Sequence, residues 1–173
     1  GFYKKEGKDI LSLDLDTLEY RAAKKASFAT LELTKTIEKP IDRFKVLVKG
    51  KDKAGEFYRK NFSAMFAYCS NRVPEITVEF YKIDDAMKAG FGWENGPFEI
   101  WDAIGVEKAI AMMEAEGYKP AAWVTDMLIS GNKSFYSVKN GKTCFYNITS
   151  KSQEEKPGQD AFIILDNIRE SHK

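Results

Sequence analysis

Little in this chain of 173 residues can react or cross-link. It holds two cysteines, Cys69 and Cys144, and one histidine, His172. Two thiols in unrelated contexts are too few for a disulfide framework, so each reads as a small buried hydrophobe in a reducing compartment. The histidine sits in a polar tail and reads as a solvated bystander. No H-x-x-x-H or C-x-x-C spacing offers ligands to a metal. Net charge is nearly absent too: 27 Lys and Arg against 26 Asp and Glu, without a basic block, argue against a nucleic-acid surface. No apolar run approaches the roughly 20 residues of a membrane span, and no signal peptide precedes the fold, so the expected location is cytoplasmic. The opening Gly1, where a methionine would stand, reads as a cut inside a longer polypeptide.

What the chain does have is aromatic residues and two kinds of periodicity. Its length lets it bury roughly 70% of its unfolded surface, enough for a core without staples. The stretch "GFYKKEGKDILSLDLDT" at the start resembles "SFYSVKNGKTCFYNITS" from Ser134. Side by side, Phe2-Tyr3 falls on Phe135-Tyr136, Glu6-Gly7 on Asn140-Gly141, and "LDLDT" on "YNITS". Each is a pair of β-prone runs around a two-residue X-Gly turn, and Asn-Gly is the strongest short hairpin signal. With Asn140-Gly141 as the loop, Tyr136 faces Phe145 and Phe135 faces Tyr146; in the first copy Tyr3 faces Ile10 and Phe2 faces Leu11. Two hairpins of matching spacing suggest a duplication whose first copy survives only as its tail.

Between the hairpins the period is helical. "PIDRFKVLVKG" carries Pro40 in a first turn, a stripe of Ile41, Phe44 and Val48, and Gly50 as a stop. From Asp52, a candidate N-cap, Tyr58, Phe62, Met65, Phe66 and Cys69 share a face. A helix starting at Pro74 lines up Ile76, Phe80, Ile83 and Met87 and stops at Gly90. Val106, Ala109, Ile110 and Met113 form the next stripe, ending on Gly117. Val124, Met127 and Leu128 form another, ending on Gly131. Ser27 to Ile37 is a weaker helix. "SKSQEEKPGQD" reads as a linker before an apolar segment from Phe162 to Ile168.

The stretch "GFGWENGPFEIWDAIG" has the glycines of a phosphate cradle at the wrong spacing. Gly90, Gly92 and Gly96 are one residue too long for G-x-G-x-x-G, a helix rather than a strand precedes them, and Trp93 stands where a backbone should approach phosphate. It reads instead as a rigid structural corner: Gly90, Gly92, Trp93, Gly96, Pro97, Phe98, Trp101 and Gly105. Asn95 is the candidate cap, Pro97 starts the helix, Phe98, Trp101 and Ile104 face one way, and both tryptophans bury a large area. The carboxylates around it offer no dyad. Asp84 and Asp85 are adjacent and point about 100° apart on a helix, while Glu94, Glu99 and Asp102 read as solvated charges or caps.

These residues resemble the C-terminal helical domain of 3-hydroxyacyl-CoA dehydrogenases, in particular the second copy in the long bacterial type with two such domains in tandem. Asp85, Met87, Gly90, Gly96-Pro97-Phe98-Glu99 and Asp102-Ala103-Ile104-Gly105 match that signature, as do "GFY" and "NRVPEI" (Asn71 to Ile76). The resemblance runs from Gly1 to about Ile148. It implies a mainly α fold: a helical bundle of the 6-phosphogluconate dehydrogenase C-terminal-domain-like type, with two short β-hairpins, one N-terminal and one after the last core helix. The implied division is 1–20, hairpin tail of a preceding repeat; 21–50, linker helices; 51–149, the second repeat; and 150–173, linker and short apolar segment.

The resemblance further implies oxidation of the 3-hydroxyl of an acyl-CoA substrate by NAD in fatty-acid β-oxidation. The nucleotide-binding domain and its His–Glu pair lie upstream, so no catalytic, cofactor-binding or metal residue is expected in this chain. The family's first copy contributes an asparagine within "GF-x-x-N-R". Here "GEFYRKN" puts Lys60 near that slot, and Asn71-Arg72 lies in another frame, where Asn71 reads as a cap or an interface contact. The expectation is therefore a non-catalytic repeat that supports the substrate cleft of an NAD-dependent oxidoreductase. Its expected partners are the nucleotide-binding domain and first helical repeat of the same chain, with self-association when isolated, a hydratase-like domain following, and the end at "NIRESHK" as a second cut. The competing expectation is a stand-alone helical module that binds acyl chains or a protein.

Overall fold

A computed structural model describes residues 1–23 and 26–171, so His172 lies outside the described residues. A sheet of β1 (Tyr3–Glu6), β2 (Asp9–Leu13) and β3 (Tyr20–Ala22) comes first. The helices follow: α1 (Ala29–Thr34), α2 (Pro40–Leu47), α3 (Lys53–Ile76), α4 (Tyr81–Phe91), α5 (Pro97–Ile104), α6 (Val106–Ala115) and α7 (Ala122–Ile129). A second sheet of β4 (Tyr136–Lys139), β5 (Lys142–Asn147) and β6 (Ser152–Glu155) precedes α8 (Leu165–Ser171). The fold is mainly α with two small antiparallel sheets, as expected.

Helix α3 forms where the aromatic stripe predicts it. Asp52 caps it by accepting the Gly55 amide at 3.0 Å, and the same carboxylate accepts the amide and hydroxyl of Thr30 at 2.9 and 2.8 Å, tying α1 to the start of α3. Phe62 and Phe66 are buried, with Tyr58, Met65 and Cys69 packed against the core. The rings run in sequence from Phe62 to Phe66 (5.9 Å), Trp101 (4.7 Å) and Phe135 (5.0 Å), so one aromatic chain links α3, α5 and the second sheet.

The helix expected to start at Pro74 is corrected. Pro74 lies in the last turn of α3, and a new helix begins only at Tyr81. Lacking an N–H, Pro74 leaves the carbonyl of Ser70 without its i+4 donor. The indole N–H of Trp123 takes that carbonyl at 2.9 Å, and the Ser70 hydroxyl accepts the Ala121 amide at 3.0 Å. A break in one helix thereby becomes the anchor of α7. The predicted face divides accordingly: Phe80 is fully buried while Ile76 is 66% exposed.

The two sheets share one register. Tyr3 pairs with Ser12 and Tyr136 with Phe145; Leu13 pairs with Tyr20 and Tyr146 with Gln153. Every residue of the first sheet therefore lies 133 positions before its counterpart. This corrects the placement of Glu6-Gly7 on Asn140-Gly141, because Gly7-Lys8 occupies that position. The two-residue turn needs a positive φ at its first central residue, which Gly7 (59°) and Asn140 (53°) supply. Tyr3 thus opposes Ser12 rather than Ile10, and Leu11 opposes Lys4 rather than Phe2. The next turns match as well. Asp14 Oδ1 accepts the amides of Asp16 and Thr17, as Asn147 Oδ1 accepts those of Thr149 and Ser150, and Leu18 and Lys151 both have positive φ. The segment read as a linker contains β6, so both hairpins are three-stranded meanders.

Their surroundings differ. Phe135 is fully buried, and so, nearly, are Phe145 and Tyr146, whereas the first sheet contributes no residue to the core and leaves Phe2 69% exposed.

Candidate functional site

The glycine-rich stretch and the two carboxylates beneath it form a densely hydrogen-bonded polar region of the body. Helix α4 ends at Gly92, in the left-handed conformation (φ 66°). Gly90, expected to be the stop, lies inside α4 with nothing within 4 Å of where a side chain would stand. Three residues separate Gly92 from Gly96, the N-cap of α5, with Pro97 in its first turn. Asn95 does not cap. Gly96 has no side chain for the task, and Asp84 performs it from α4: its two oxygens accept the Phe98 amide at 3.0 Å and the Glu99 amide at 3.1 Å. The fit is mutual, since a β-carbon on Gly96 would lie 2.3 Å from the side chain of Asp84. Glu99 completes the cap by accepting the Gly96 amide at 2.8 Å and pairs with Lys88 at 2.6 Å.

Asp84 also accepts the phenol of Tyr136 at 2.8 Å. One helical turn along α5 from Phe98, Asp102 turns its carboxylate to the start of β4, accepting the amides of Phe135 and Tyr136, each at 2.8 Å. These two carboxylates therefore fasten α4 to α5 and α5 to the second sheet. Asp84 is fully buried. Burial pushes both carboxyls up from the usual carboxylate range to about 7, against the hydrogen bonds that hold them down. The Tyr136 hydroxyl is likewise driven upward by burial and by the adjacent Asp84 charge.

Sequence reasoning passes over both groups, setting Asp84 aside as half of a pair that forms no dyad and Asp102 as solvated or a cap. The missed signal is a glycine N-cap without a capping side chain, which requires an acceptor from elsewhere. Asp85, the matching position in the family signature, is half-buried and pairs with Lys156 at 2.7 Å.

The other corner residues divide. Pro97, Phe98 and Trp101 are buried, and the Trp101 indole N–H points to the Val106 carbonyl at 3.4 Å. Gly105 (φ 98°) joins α5 to α6 in a conformation that side chains disfavour. Trp93 is corrected: it remains 38% exposed and borders a surface groove with Pro40, Phe44, Tyr58 and Phe62. Asn71 does not cap either; it lies within α3, its side-chain amide bonded back to the Ala67 carbonyl at 2.8 Å. Lys60 is exposed and pairs with Glu56 on the same helix at 2.7 Å.

The amides at the N-terminus of α5 are thus taken by the carboxylates of Asp84 and Glu99, acidic groups at the end of a helix that favours them. Among the described residues no group of three or more His, Cys, Asp or Glu is placed to hold a metal ion. No helix is long and apolar enough to cross a membrane among the described residues.

Residues 57–142 match the family described as 3-hydroxyacyl-CoA dehydrogenase, C-terminal domain. The chain is similar to a probable 3-hydroxyacyl-CoA dehydrogenase of Bacillus subtilis, at 40% identity over 147 residues that cover 85% of this chain and 19% of the relative. It also resembles putative fatty acid oxidation complex trifunctional enzymes of Rickettsia prowazekii and Rickettsia felis, each at 37% identity over 46 residues, 27% of this chain and 6% of the relative. The chain thus spans about a fifth or less of the length of these relatives. No solved structure matches it.

Proposed function

Through residues 57–142 the chain belongs to the 3-hydroxyacyl-CoA dehydrogenase C-terminal domain family, and on that premise we infer that it is a structural repeat of an NAD-dependent 3-hydroxyacyl-CoA dehydrogenase acting in β-oxidation in the cytoplasm. Its task is burial. The helical body covers the apolar surface of a first repeat in the same polypeptide, as the second subunit of a dimer would, and so steadies the acyl-CoA cleft. The nicotinamide and the general base that accepts the hydroxyl proton belong to other domains of the enzyme.

One observation carries this reading: the chemically suggestive carboxylates, Asp84 and Asp102, have both oxygens engaged by backbone amides of the body itself. They hold elements together and leave no oxygen unengaged to abstract a proton. Exposed apolar side chains on α3, Phe57 at 59% and Tyr68 at 68%, supply a surface for the covering role. Two measurements test the proposal. The isolated chain mixed with NADH and acetoacetyl-CoA should consume no cofactor beyond the buffer control; clear turnover rejects the non-catalytic assignment. In sedimentation velocity the isolated chain should self-associate with rising concentration, and a strictly monomeric chain at high concentration removes the covering role.

A further inference from the structure

The first sheet repeats the second in register, yet among the described residues its Phe2–Tyr3 end stays exposed. In the second copy the covering is specific. Phe135 packs among Phe80, Phe98, Trp101 and Trp123 at ring distances of 5.4, 5.1, 5.0 and 5.7 Å. Asp102 takes the Phe135 and Tyr136 amides, and Asp84 takes the Tyr136 phenol. All of these partners except Trp123 come from α4, α5 and Phe80, the residue just before α4.

In the first copy Phe2 stands at the position of Phe135 and Tyr3 at that of Tyr136, in the same register. The Leu13 amide even donates to the Phe2 carbonyl at 2.8 Å, as Tyr146 does to Phe135 at 2.8 Å. Phe2 and Tyr3 are nevertheless 69% and 74% exposed, and Ile10 63%. An aromatic pair held ready by a fixed register, and left in water, is an incomplete interface.

We propose that the edge of the first sheet at Phe2 and Tyr3 is the docking site for a helix pair of the α4–α5 kind. That pair is supplied by the same polypeptide N-terminal to residue 1, and it carries a buried carboxylate that accepts the Phe2 and Tyr3 amides. The seated internal copy identifies the occupant. The length of chain beyond this one in the Bacillus relative, of which this chain covers 19%, leaves room for it. The proposal rests on the reading that a first repeat exists, and adds where and by which groups that repeat is closed.

Hydrogen exchange on two forms tests it: the 173-residue chain, and the natural polypeptide extended N-terminally by about a hundred residues, a length on the order of one small domain. In the extended form the Phe2 and Tyr3 amides should exchange at least about a hundredfold more slowly than in the short chain. Phe2→Ala should lower the melting temperature of the extended form and leave that of the short chain unchanged. Equal exchange in both forms overturns the docking. If the extension adds helical circular dichroism while the amides stay unprotected, the docking fails and the first-repeat reading stands; if it adds no helix, both fail. Protection that grows with concentration in the short chain alone identifies a second copy as the occupant and overturns the proposal.

Discussion

At the scale of single residues, the glycines of one short stretch have opposite jobs. Gly96 is where it is because Asp84 occupies the space a side chain needs: a β-carbon on Gly96 would lie only 2.5 Å from the Asp84 α-carbon and 2.3 Å from its β-carbon. Neither backbone nor a buried carboxylate yields cheaply, so Gly96→Ala should cost about 3 kcal/mol, at the upper end for overpacking. Gly90 has open space in the interior of α4, and Gly90→Ala should stabilise by about 0.5–1 kcal/mol through helix propensity. Urea unfolding of the two variants should move the midpoint in opposite directions; a shift of the same sign in both contradicts the packing assigned to the corner. Asp84 and Asp102 give a pH prediction of definite sign. Both titrate at about 7 when folded, above their unfolded values, so between about pH 4 and 7 the folded state holds more protons than the unfolded state. Stability therefore declines as pH rises through that window and levels above it. The urea midpoint at about pH 7.5 should lie below that at about pH 5, and Asp84→Asn should reduce the difference. A midpoint that climbs between these two pH values refutes the assignment.

At the scale of elements, the helical stripes are legible because burial at a 3.6-residue period leaves its mark on the side chains themselves: Phe62, Phe66, Phe98, Trp101, Ala109, Met113, Val124 and Met127 are all buried where the pattern places them. The break between α3 and α4 is not legible. Proline is common both in the first turn of a helix and just before a helix ends, and only the partner of the Ser70 carbonyl, 53 residues away in sequence, decides between the two. The same holds for the candidate site. Gly96, Pro97 and Gly105 announce a turn and a helix start locally, while the roles of Asp84 and Asp102 depend on amides 14 to 34 positions distant, which no local pattern records. The third strands go unseen because "YRA" and "SQEE" are short, polar edge strands without alternation. If Trp123 does hold the helix break, Trp123→Phe should cost about 2 kcal/mol, most of it from the unpaired Ser70 carbonyl. A urea midpoint indistinguishable from that of the unchanged chain means that another donor replaces the indole.

At the scale of the whole molecule, one motif occurs twice with opposite energetic weight. The second meander is part of the core: it brings Phe135, Phe145 and Tyr146 into the aromatic cluster and is pinned by two carboxylates. Among the described residues the first meander is held by its own ladder, its turns and internal contacts such as the Tyr20 hydroxyl on the Gly1 carbonyl at 2.6 Å. Short sheets without an apolar face against a partner are marginal in water, so the first meander in this chain should open far more readily than the body. Removing residues 1–23 should leave the melting temperature of the body within about 2 °C, because no core residue is lost. Phe135→Ala, at the position equivalent to Phe2, should cost about 3–5 kcal/mol by leaving a cavity between α5, α7 and β5. Calorimetry on the truncated chain and on the Phe135 variant separates the two. A large drop on truncation reveals contacts between the first meander and the body, and a small effect at Phe135 means that the second meander is as peripheral as the first.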